Sequence, residues 1–354
     1  MICAPAAFSC SAFLVSAGSE AIVGRNLDWD FGHGLVIVNQ RGLEKKALIG
    51  SPNKPAQWVS KYGSVTFNQV GRELPYGGVN ERGLDVEQLW LRSAKFPAPN
   101  AQPAVNEMQW IQYQLDNFST VREVLANLGK TNVVNRIATV HYFVCDASGE
   151  CATIEPINGR LEVHAGKSLP VPALTNDAYS DSIRYAEPFL TSKGAPNLPQ
   201  GTKSLARFAR LSRSLKNGVD PARDPIEAAF ARLSGVSSAR SNEDDDATRW
   251  SIVSDLKRGI VYFKTSRNPA GRSVNLSKFD FSCGAPARVL DIDFPVAGDV
   301  SSRFVEYRTT LNSGLVNKSL ATGFAHLPPE LIQKIANYPD SALCKDPAPK
   351  TPFQ

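Results

Sequence analysis

The sequence predicts an α+β protein with two antiparallel β-sheets and helical layers outside them. Short β-forming runs, separated by Gly, Pro and Asn clusters, dominate the first half of the chain. Amphipathic helical patterns and then further strand patterns follow, without the regular strand–helix alternation of a parallel sheet. Because no internal repeat and no clear linker is visible, we expect one domain over residues 10–345 and a surface tail over residues 346–354.

The strand predictions rest on β-rich runs that are bounded by turn residues. In chain order they cover residues 11–15, 35–39, 65–67, 84–91, 139–144, 152–156, 160–164, 250–254 and 259–265. The pair Asn158-Gly159 is a typical hairpin turn and predicts that the sixth and seventh of these runs join there.

The helix predictions rest on apolar residues at helical spacing. Within residues 105–128, Met108, Ile111 and Leu115 repeat in this way. Thr120 and Glu123 then have the spacing of a capping box, which predicts a second helix in the same segment. Further amphipathic helices are predicted over residues 204–216, 225–233 and 329–337.

Composition and charge exclude several classes of protein. The chain is 42% hydrophobic and 21% charged, as in ordinary globular proteins. A net charge of +5 over 354 residues is weak support for nucleic-acid binding. The basic cluster has the three-residue spacing of a solvated helix face and comprises Arg207, Arg210, Arg213 and Lys216. No apolar run is long enough to span a membrane, so we expect neither nucleic acid nor membrane as a partner.

Residues 1–9 are interpreted as a removable pre-segment. Ala7-Phe8-Ser9 before Cys10 has the small-x-small form of a processing site. The segment lacks a basic region and is shorter than a complete signal peptide, which fits the remnant of a longer signal. We therefore expect a periplasmic or secreted protein after N-terminal processing.

The cysteine and histidine residues show no metal or redox motif. The six cysteines contain no CxxC pair, and no HExxH sequence occurs. Cys145 and Cys151 flank a turn-like stretch and either bond across a hairpin or remain two buried thiols. His141 and His164 lie in predicted strands, where we favour a structural role. We expect no metal and no cofactor.

Cys10 is a candidate N-terminal nucleophile. In such an enzyme the side chain attacks, and the free α-amine of the same residue, with a pKa of about 7.7–8.0, accepts its proton. Taken alone, the segment fits an ordinary buried cysteine before a strand better. Arg25 and Asp28 change this interpretation, because a cation favours the thiolate and a carboxylate can orient an amine.

Several segments together carry a resemblance to a known family. They are Cys10, Gly24-Arg25-Asn26-Leu27-Asp28-Trp29, Val79-Asn80-Glu81-Arg82-Gly83-Leu84, Leu174-Thr175-Asn176 and Ala206-Arg207-Phe208. In order and approximate spacing they resemble the choloylglycine hydrolase family of linear amide hydrolases, which contains bile salt hydrolases and penicillin V acylases. The resemblance covers most of the chain. It implies a four-layer αββα sandwich, the N-terminal nucleophile hydrolase fold, and a homotetramer.

The resemblance also implies roles for five residues. Cys10 would be the nucleophile and, through its amine, the general base. Arg25 and Asp28 would position and tune it. Asn176 would donate a hydrogen bond to the oxyanion, and Arg207 would steady the polar site. Attack on the amide would give a tetrahedral intermediate and then a thioester that water hydrolyses.

Trp90 departs from the bile salt hydrolase pattern, because it stands where those enzymes carry a second oxyanion-hole Asn. An indole N–H donates a hydrogen bond but cannot accept one, and its bulk reshapes a pocket. Tryptophan here resembles the penicillin V acylase branch of Gram-negative bacteria, whose members include hydrolases of N-acyl homoserine lactones. Trp29, Phe31 and Trp90 would line an acyl pocket; a simple core role is the alternative for each.

The sequence therefore predicts a cysteine-dependent amidase that acts on penicillin V or N-acyl homoserine lactones through a thioester at Cys10. A conjugated bile salt hydrolase is the alternative within the family. A non-catalytic protein that binds acyl ligands is the alternative of another class, because Trp90 stands in the oxyanion position and nine residues precede Cys10. The expected partners are a small N-acyl amide and further copies of the chain.

Overall fold

A computed structural model describes residues 9–17, 20–192, 194, 197–220, 222–238, 247–323 and 327–345 of the chain. The expectations for residues 1–8 of the pre-segment and for the tail over residues 346–354 lie outside the described residues.

The described residues form strands and helices throughout. The strands are β1 (Ser11–Ala17), β2 (Glu20–Trp29), β3 (Leu35–Asn39), β4 (Leu43–Lys46), β5 (Gln57–Val59), β6 (Ser64–Asn68), β7 (Gly77–Asn80), β8 (Asp85–Trp90), β9 (Ala104–Asn106), β10 (Asn132–Val134), β11 (Val140–Cys145), β12 (Cys151–Ile157), β13 (Arg160–Ala165), β14 (Ala173–Leu174), β15 (Ala247–Asp255), β16 (Ile260–Thr265), β17 (Arg272–Asn275), β18 (Arg288–Asp291), β19 (Gly298–Asp299), β20 (Val305–Glu306) and β21 (Leu343–Cys344). The helices are α1 (Gln109–Asn117), α2 (Val121–Asn127), α3 (Tyr179–Thr191), α4 (Ser204–Lys216), α5 (Pro225–Ser234), α6 (Thr309–Gly323) and α7 (Pro329–Asn337).

Two large sheets organise this part of the chain. One has seven strands in the order β14-β1-β2-β15-β16-β17-β19, and the other has nine in the order β13-β12-β11-β8-β7-β6-β3-β18-β20. Neighbouring strands are antiparallel except for the short edge pair of β17 and β19, which is parallel. The Asn158-Gly159 turn joins β12 to β13, and both of its residues have positive φ, as the turn signal predicts.

The two sheets face each other and carry helices on their outer faces. The Phe67 ring on β6 lies 5.7 Å from the Phe263 ring on β16, which shows contact between the inner faces. Helices α4 and α5 pack on β1, β2, β14 and β15, while α1 packs on β7 and β8. The fold is therefore the expected four-layer αββα sandwich, with the parallel edge pair as a local exception.

Residues 11–15 of strand β1 are buried, because the strand lies between the helices and the other sheet. Phe13 is fully buried and pairs with Gly24 on β2. A Cβ atom at Gly24 would lie 2.5 Å from the Phe13 ring. The glycine thus leaves room for the aromatic ring that holds the strand after Cys10 in place.

Several elements differ from the sequence predictions. Residues 104–106 form strand β9, so the predicted helical pair starts later, although the capping box of Thr120 and Glu123 is confirmed. Helices α3 and α6 were not predicted. Pro188 interrupts the helical pattern of α3, and α6 is rich in Gly, Ser, Thr and Asn, which have low helix propensity. Tertiary packing overrides these local preferences.

Two disulfides cross-link the described chain. Cys145 and Cys151 are bonded across the β11–β12 hairpin, which decides between the two alternatives for this pair. A second bond joins Cys283 to Cys344. Within the described ranges, no helix is long and apolar enough to cross a membrane.

Replacement of Phe13 by alanine is expected to lower the free energy of unfolding by about 3–5 kcal/mol, because it leaves a cavity between β1 and β2. Urea denaturation followed by circular dichroism measures this loss. Val305→Ala is the control, since that side chain is 55% exposed and its loss should cost little. Equal losses in both variants would contradict the packing described here.

Candidate active site

Cys10 lies immediately before β1, and its side chain is buried. The thiol donates a long hydrogen bond to the backbone oxygen of Asp28, with Sγ 3.8 Å from that oxygen. Burial raises the pKa of the Cys10 thiol, and the positive charge of Arg25 opposes this effect. The thiolate therefore depends on the cations placed around it.

Arg25 projects from β2 toward β8 of the facing sheet. Its Nε lies 2.7 Å from Glu87 Oε2, and its Nη2 donates to the backbone oxygen of Gln88 at 3.0 Å. Nη1 is buried and has no hydrogen-bond partner among the described residues. Since Arg25 and Cys10 line the same cavity, this nitrogen is the part of the guanidinium still able to donate there.

Asp28, at the end of β2, is fully buried. Its carboxylate interacts with the Thr248 hydroxyl and has no further hydrogen-bond partner in the described part of the chain. Burial raises the pKa of Asp28 to about 7, although the charge of Arg207 acts in the opposite direction. The site thus holds a carboxylate with unused capacity to accept hydrogen bonds.

Arg207 connects three segments around Cys10. Its Nη1 donates to the backbone oxygen of Cys10 and to Ser11 Oγ, and its Nη2 donates to Asn176 Oδ1 at 2.8 Å. Nε donates to the backbone oxygen of Thr202 at 2.8 Å. Burial lowers the pKa of Arg207 to about 10, which leaves the guanidinium charged at neutral pH.

The prediction that the basic residues of α4 face solvent is wrong for Arg207, which is fully buried. The helix packs on β1 and β14, so the residue on that side points inward. Of the other three basic residues, Lys216 is exposed, and Arg210 and Arg213 are partly buried.

Asn176 follows β14 and is held on both sides of its amide. Its Nδ2 donates to the backbone oxygen of Trp90 at 2.8 Å, and its Oδ1 accepts from Arg207. Its backbone nitrogen donates to Ser204 Oγ at 2.8 Å. An amide nitrogen carries two hydrogens, so one remains for a further acceptor.

A buried network supports the loop that carries Asn176. His141 Nε2 lies 2.8 Å from the backbone oxygen of Thr175, and Nδ1 lies 2.8 Å from Glu155 Oε1. Because a carbonyl oxygen only accepts, Nε2 carries a proton. The backbone N–H of Tyr179 also donates to Glu155. The structural role expected for His141 is confirmed.

Aromatic side chains form one wall of the cavity beside Cys10. The Trp29 ring lies 6.2 Å from both the Trp90 and Phe31 rings. Trp29, Trp90 and Tyr76 line the cavity, whereas Phe31 does not and instead packs between Trp29 and His33. The cavity has a volume of about 20 Å³, which is room for a single water.

The sequence analysis missed several residues of this site, among them Tyr76, Glu87, Gln88 and Met108. One signal was available, because Glu87 is an acidic residue inside a strand whose other positions are almost all buried. A buried charge needs a partner, but only the strand register identifies Arg25 as that partner.

The raised pKa of Asp28 predicts how stability depends on pH. An unfolded Asp titrates near about 3.9, whereas Asp28 in the fold titrates at about 7. Between these values the unfolded chain binds fewer protons, so stability falls as pH rises, and the cost is complete above pH 7. We expect Asp28→Asn to raise the free energy of unfolding at pH 8 by about 2–4 kcal/mol, and hardly at all near pH 4.

Urea denaturation at the two pH values tests this expectation. Asp30→Asn is the matched control, because Asp30 is exposed and only two residues away. A variant at position 28 that is no more stable than the parent at pH 8 would contradict the described burial of its charge.

Comparison with known proteins gives consistent results. A family described as linear amide C–N hydrolases, choloylglycine hydrolase family, matches residues 10–182. A penicillin V acylase of Pectobacterium atrosepticum is 29% identical over 310 residues, covering 77% of this chain and 81% of the relative. A bile salt hydrolase/transferase of Lactiplantibacillus plantarum is 22% identical over 296 residues, covering 72% of this chain and 88% of the relative.

A solved structure is similar over most of its length. The penicillin V acylase from Agrobacterium tumefaciens superposes with a TM-score of 0.74 at 27% identity, covering 84% of this chain and 98% of that one. The chain is therefore similar, over residues 10–182, to the choloylglycine hydrolase family of linear amide C–N hydrolases.

Proposed function

We propose that this hydrolase uses Cys10 as an N-terminal nucleophile on N-acyl amides, with penicillin V and N-acyl homoserine lactones as substrates. The observation that carries the proposal is the position of Cys10 at the start of β1. Arg25, Arg207 and the buried carboxylate of Asp28 surround it there. This arrangement joins a nucleophile, two cations and an acceptor for an amine in one buried site.

The first step is removal of the residues before Cys10. Cleavage after Ser9 turns the backbone nitrogen of Cys10 into an α-amine, whose pKa of about 7.7–8.0 suits a base at neutral pH. Asp28 has carboxylate oxygens free to accept hydrogen bonds from that amine. The carboxylate would orient the amine toward the thiol.

The second step is attack on the amide carbon. The amine accepts the thiol proton as Sγ bonds to the carbonyl carbon, and the charge of Arg25 offsets the cost of a buried thiolate. The remaining hydrogen on Asn176 Nδ2 would bind the developing oxyanion, a contact worth about 3 kcal/mol. Arg207 and the backbone oxygen of Trp90 fix the amide of Asn176 for this role.

The last steps release the two products. The tetrahedral intermediate collapses as the leaving nitrogen takes the proton from the α-amine, which leaves the acyl group as a thioester on Cys10. Water, deprotonated by the same amine, then attacks the thioester and frees the acid.

The substrate preference is proposed from the cavity wall and from the relatives. Trp29 and Trp90 offer apolar surface to an acyl group. The penicillin V acylase relative is 29% identical, whereas the bile salt hydrolase relative is 22% identical. Because the cavity holds about one water, an acyl group must displace part of this wall.

The location and assembly of the protein are also proposals. Two disulfides, Cys145–Cys151 and Cys283–Cys344, support an oxidising compartment such as the periplasm or the exterior. A homotetramer is proposed from the family resemblance alone. Sedimentation of the purified chain would measure the assembly directly.

Replacement of Cys10 by alanine is expected to lower kcat at least about 10³-fold, because nucleophilic attack is lost while the fold remains. The loss of kcat is measured with penicillin V as the substrate, and the free amine that is released is the signal. Ser16→Ala is the control, since Ser16 is exposed on the same strand. A fully active Cys10→Ala enzyme would reject the nucleophile, and the absence of amide hydrolysis in processed protein would favour the acyl-binding alternative.

Substrate comparison gives a separate prediction. We expect kcat/KM to be highest for penicillin V and long-chain N-acyl homoserine lactones, and at least about tenfold lower for glycine- or taurine-conjugated bile salts. One or two apolar contacts, each worth about 1–3 kcal/mol, are enough for this difference. A preference for bile salts would instead support the alternative within the family.

A further inference from the structure

We propose that Glu87 is a positioning residue for the amide hydrolysis, because from β8 it fixes the guanidinium of Arg25 beside Cys10. The inference rests on the proposed role of Cys10. Neither the sequence motifs nor the comparisons assign a role to Glu87. Its function would be to hold another side chain rather than to touch the substrate.

Strand β8 contacts two of the three guanidinium nitrogens of Arg25. Glu87 Oε2 lies 2.7 Å from Nε, with the two side chains 2% and 1% exposed. The next residue, Gln88, accepts a hydrogen bond from Nη2 through its backbone oxygen. Two of the three guanidinium nitrogens are thus held by consecutive residues of one strand, and the planar group has a fixed orientation.

This arrangement leaves one guanidinium nitrogen of Arg25, Nη1, without a partner in the described part of the chain. Arg25 Nη1 has no hydrogen-bond partner among the described residues, and Arg25 lines the cavity together with Cys10. A donor left unpaired in a buried cavity is costly unless a ligand or an intermediate uses it. The contact with Glu87 therefore determines where the available N–H groups point.

The neighbouring strand β7 leaves space for the Glu87 carboxylate. Gly77 on β7 pairs with Glu87, and a Cβ atom at Gly77 would lie 1.8 Å from Glu87 Oε2. Gly77 does not have a positive φ, so space, and not backbone conformation, requires glycine here. Strand β7 is thereby fitted to the Glu87 carboxylate.

Asp85 provides the comparison within the same strand. It precedes Glu87 by two residues and is equally buried. Its carboxylate accepts a hydrogen bond from the Ser254 side chain. A substitution at Asp85 therefore removes a buried charge from β8 without removing a contact to Arg25.

The test compares five variants of the processed enzyme on penicillin V. We expect Glu87→Ala to lower kcat about 10- to 100-fold with KM changed less than about threefold, since misplacing a catalytic group by about 1 Å costs that much. Glu87→Gln should lose less, because a side chain of the same size keeps a polar oxygen beside Nε. Asp85→Asn should keep kcat within about threefold of the parent.

Gly77→Ala tests the same contact without changing any charge. The added methyl group displaces the carboxylate, so kcat should fall about tenfold or more, and the Gly77→Ala/Glu87→Ala double variant should resemble Glu87→Ala alone. If Glu87→Ala does not fold, Gly77→Ala and Glu87→Gln decide the matter.

Equal losses of kcat in Asp85→Asn and Glu87→Ala, or a Gly77→Ala enzyme with the parent kcat, would overturn the inference. Either result leaves the proposed function intact as long as the parent enzyme is active and Cys10→Ala is not. An inactive parent would instead count against the proposed function itself.

Discussion

The need to partner buried guanidinium groups is the constraint on which this site depends. Removing a charge from water is costly unless hydrogen bonds and a counter-charge replace the solvent. Arg25 meets this condition with Glu87 and a backbone oxygen of β8, and Arg207 meets it with backbone oxygens, Ser11 and Asn176. Each pairing also fixes a segment next to Cys10. The interactions that make the burial of charge tolerable are therefore the same ones that assemble the site.

Backbone oxygens of strand β8 bind both Arg25, which lies beside the nucleophile, and Asn176, the proposed oxyanion donor. The backbone oxygen of Gln88 accepts from Arg25, and that of Trp90 accepts from Asn176. A shift of β8 by one residue would turn its side chains to the opposite face of the sheet and break both contacts. The long pairing of β8 with β11 resists such a shift, and β11 also carries His141, which holds the loop before Asn176. The pairing register of β8 therefore determines both the sheet and the geometry of the site.

The local sequence patterns predicted many of the strands and helices of this structure. They did not predict the contacts between segments that are distant in the sequence. Alternation, turn residues and the capping box at Thr120 are short-range signals, and the strands and helices that they predict are confirmed. The inward direction of Arg207 and the pairing of Arg25 with Glu87 depend on which elements pack together, which no local pattern contains. For the same reason Phe31 was placed on the cavity wall, whereas it packs behind Trp29. The roles of Cys10 and Asp28 were proposed from the chemistry of those residues together with the family resemblance, and the role of Asn176 came from the resemblance alone.

Asp28 links the stability of the fold to its proposed chemistry, because its burial raises the pKa of the carboxyl to about 7 and lowers stability at neutral pH, whereas an α-amine at Cys10 would give the carboxylate a further partner. The most direct test is the intact mass of catalytically active protein, before and after alkylation of its thiols without reduction. We expect a chain that starts at Cys10, and we expect a single adduct on Cys10 to abolish turnover. Full activity in a chain that still carries Ser9 before Cys10, or activity that survives alkylation of Cys10, would contradict these expectations.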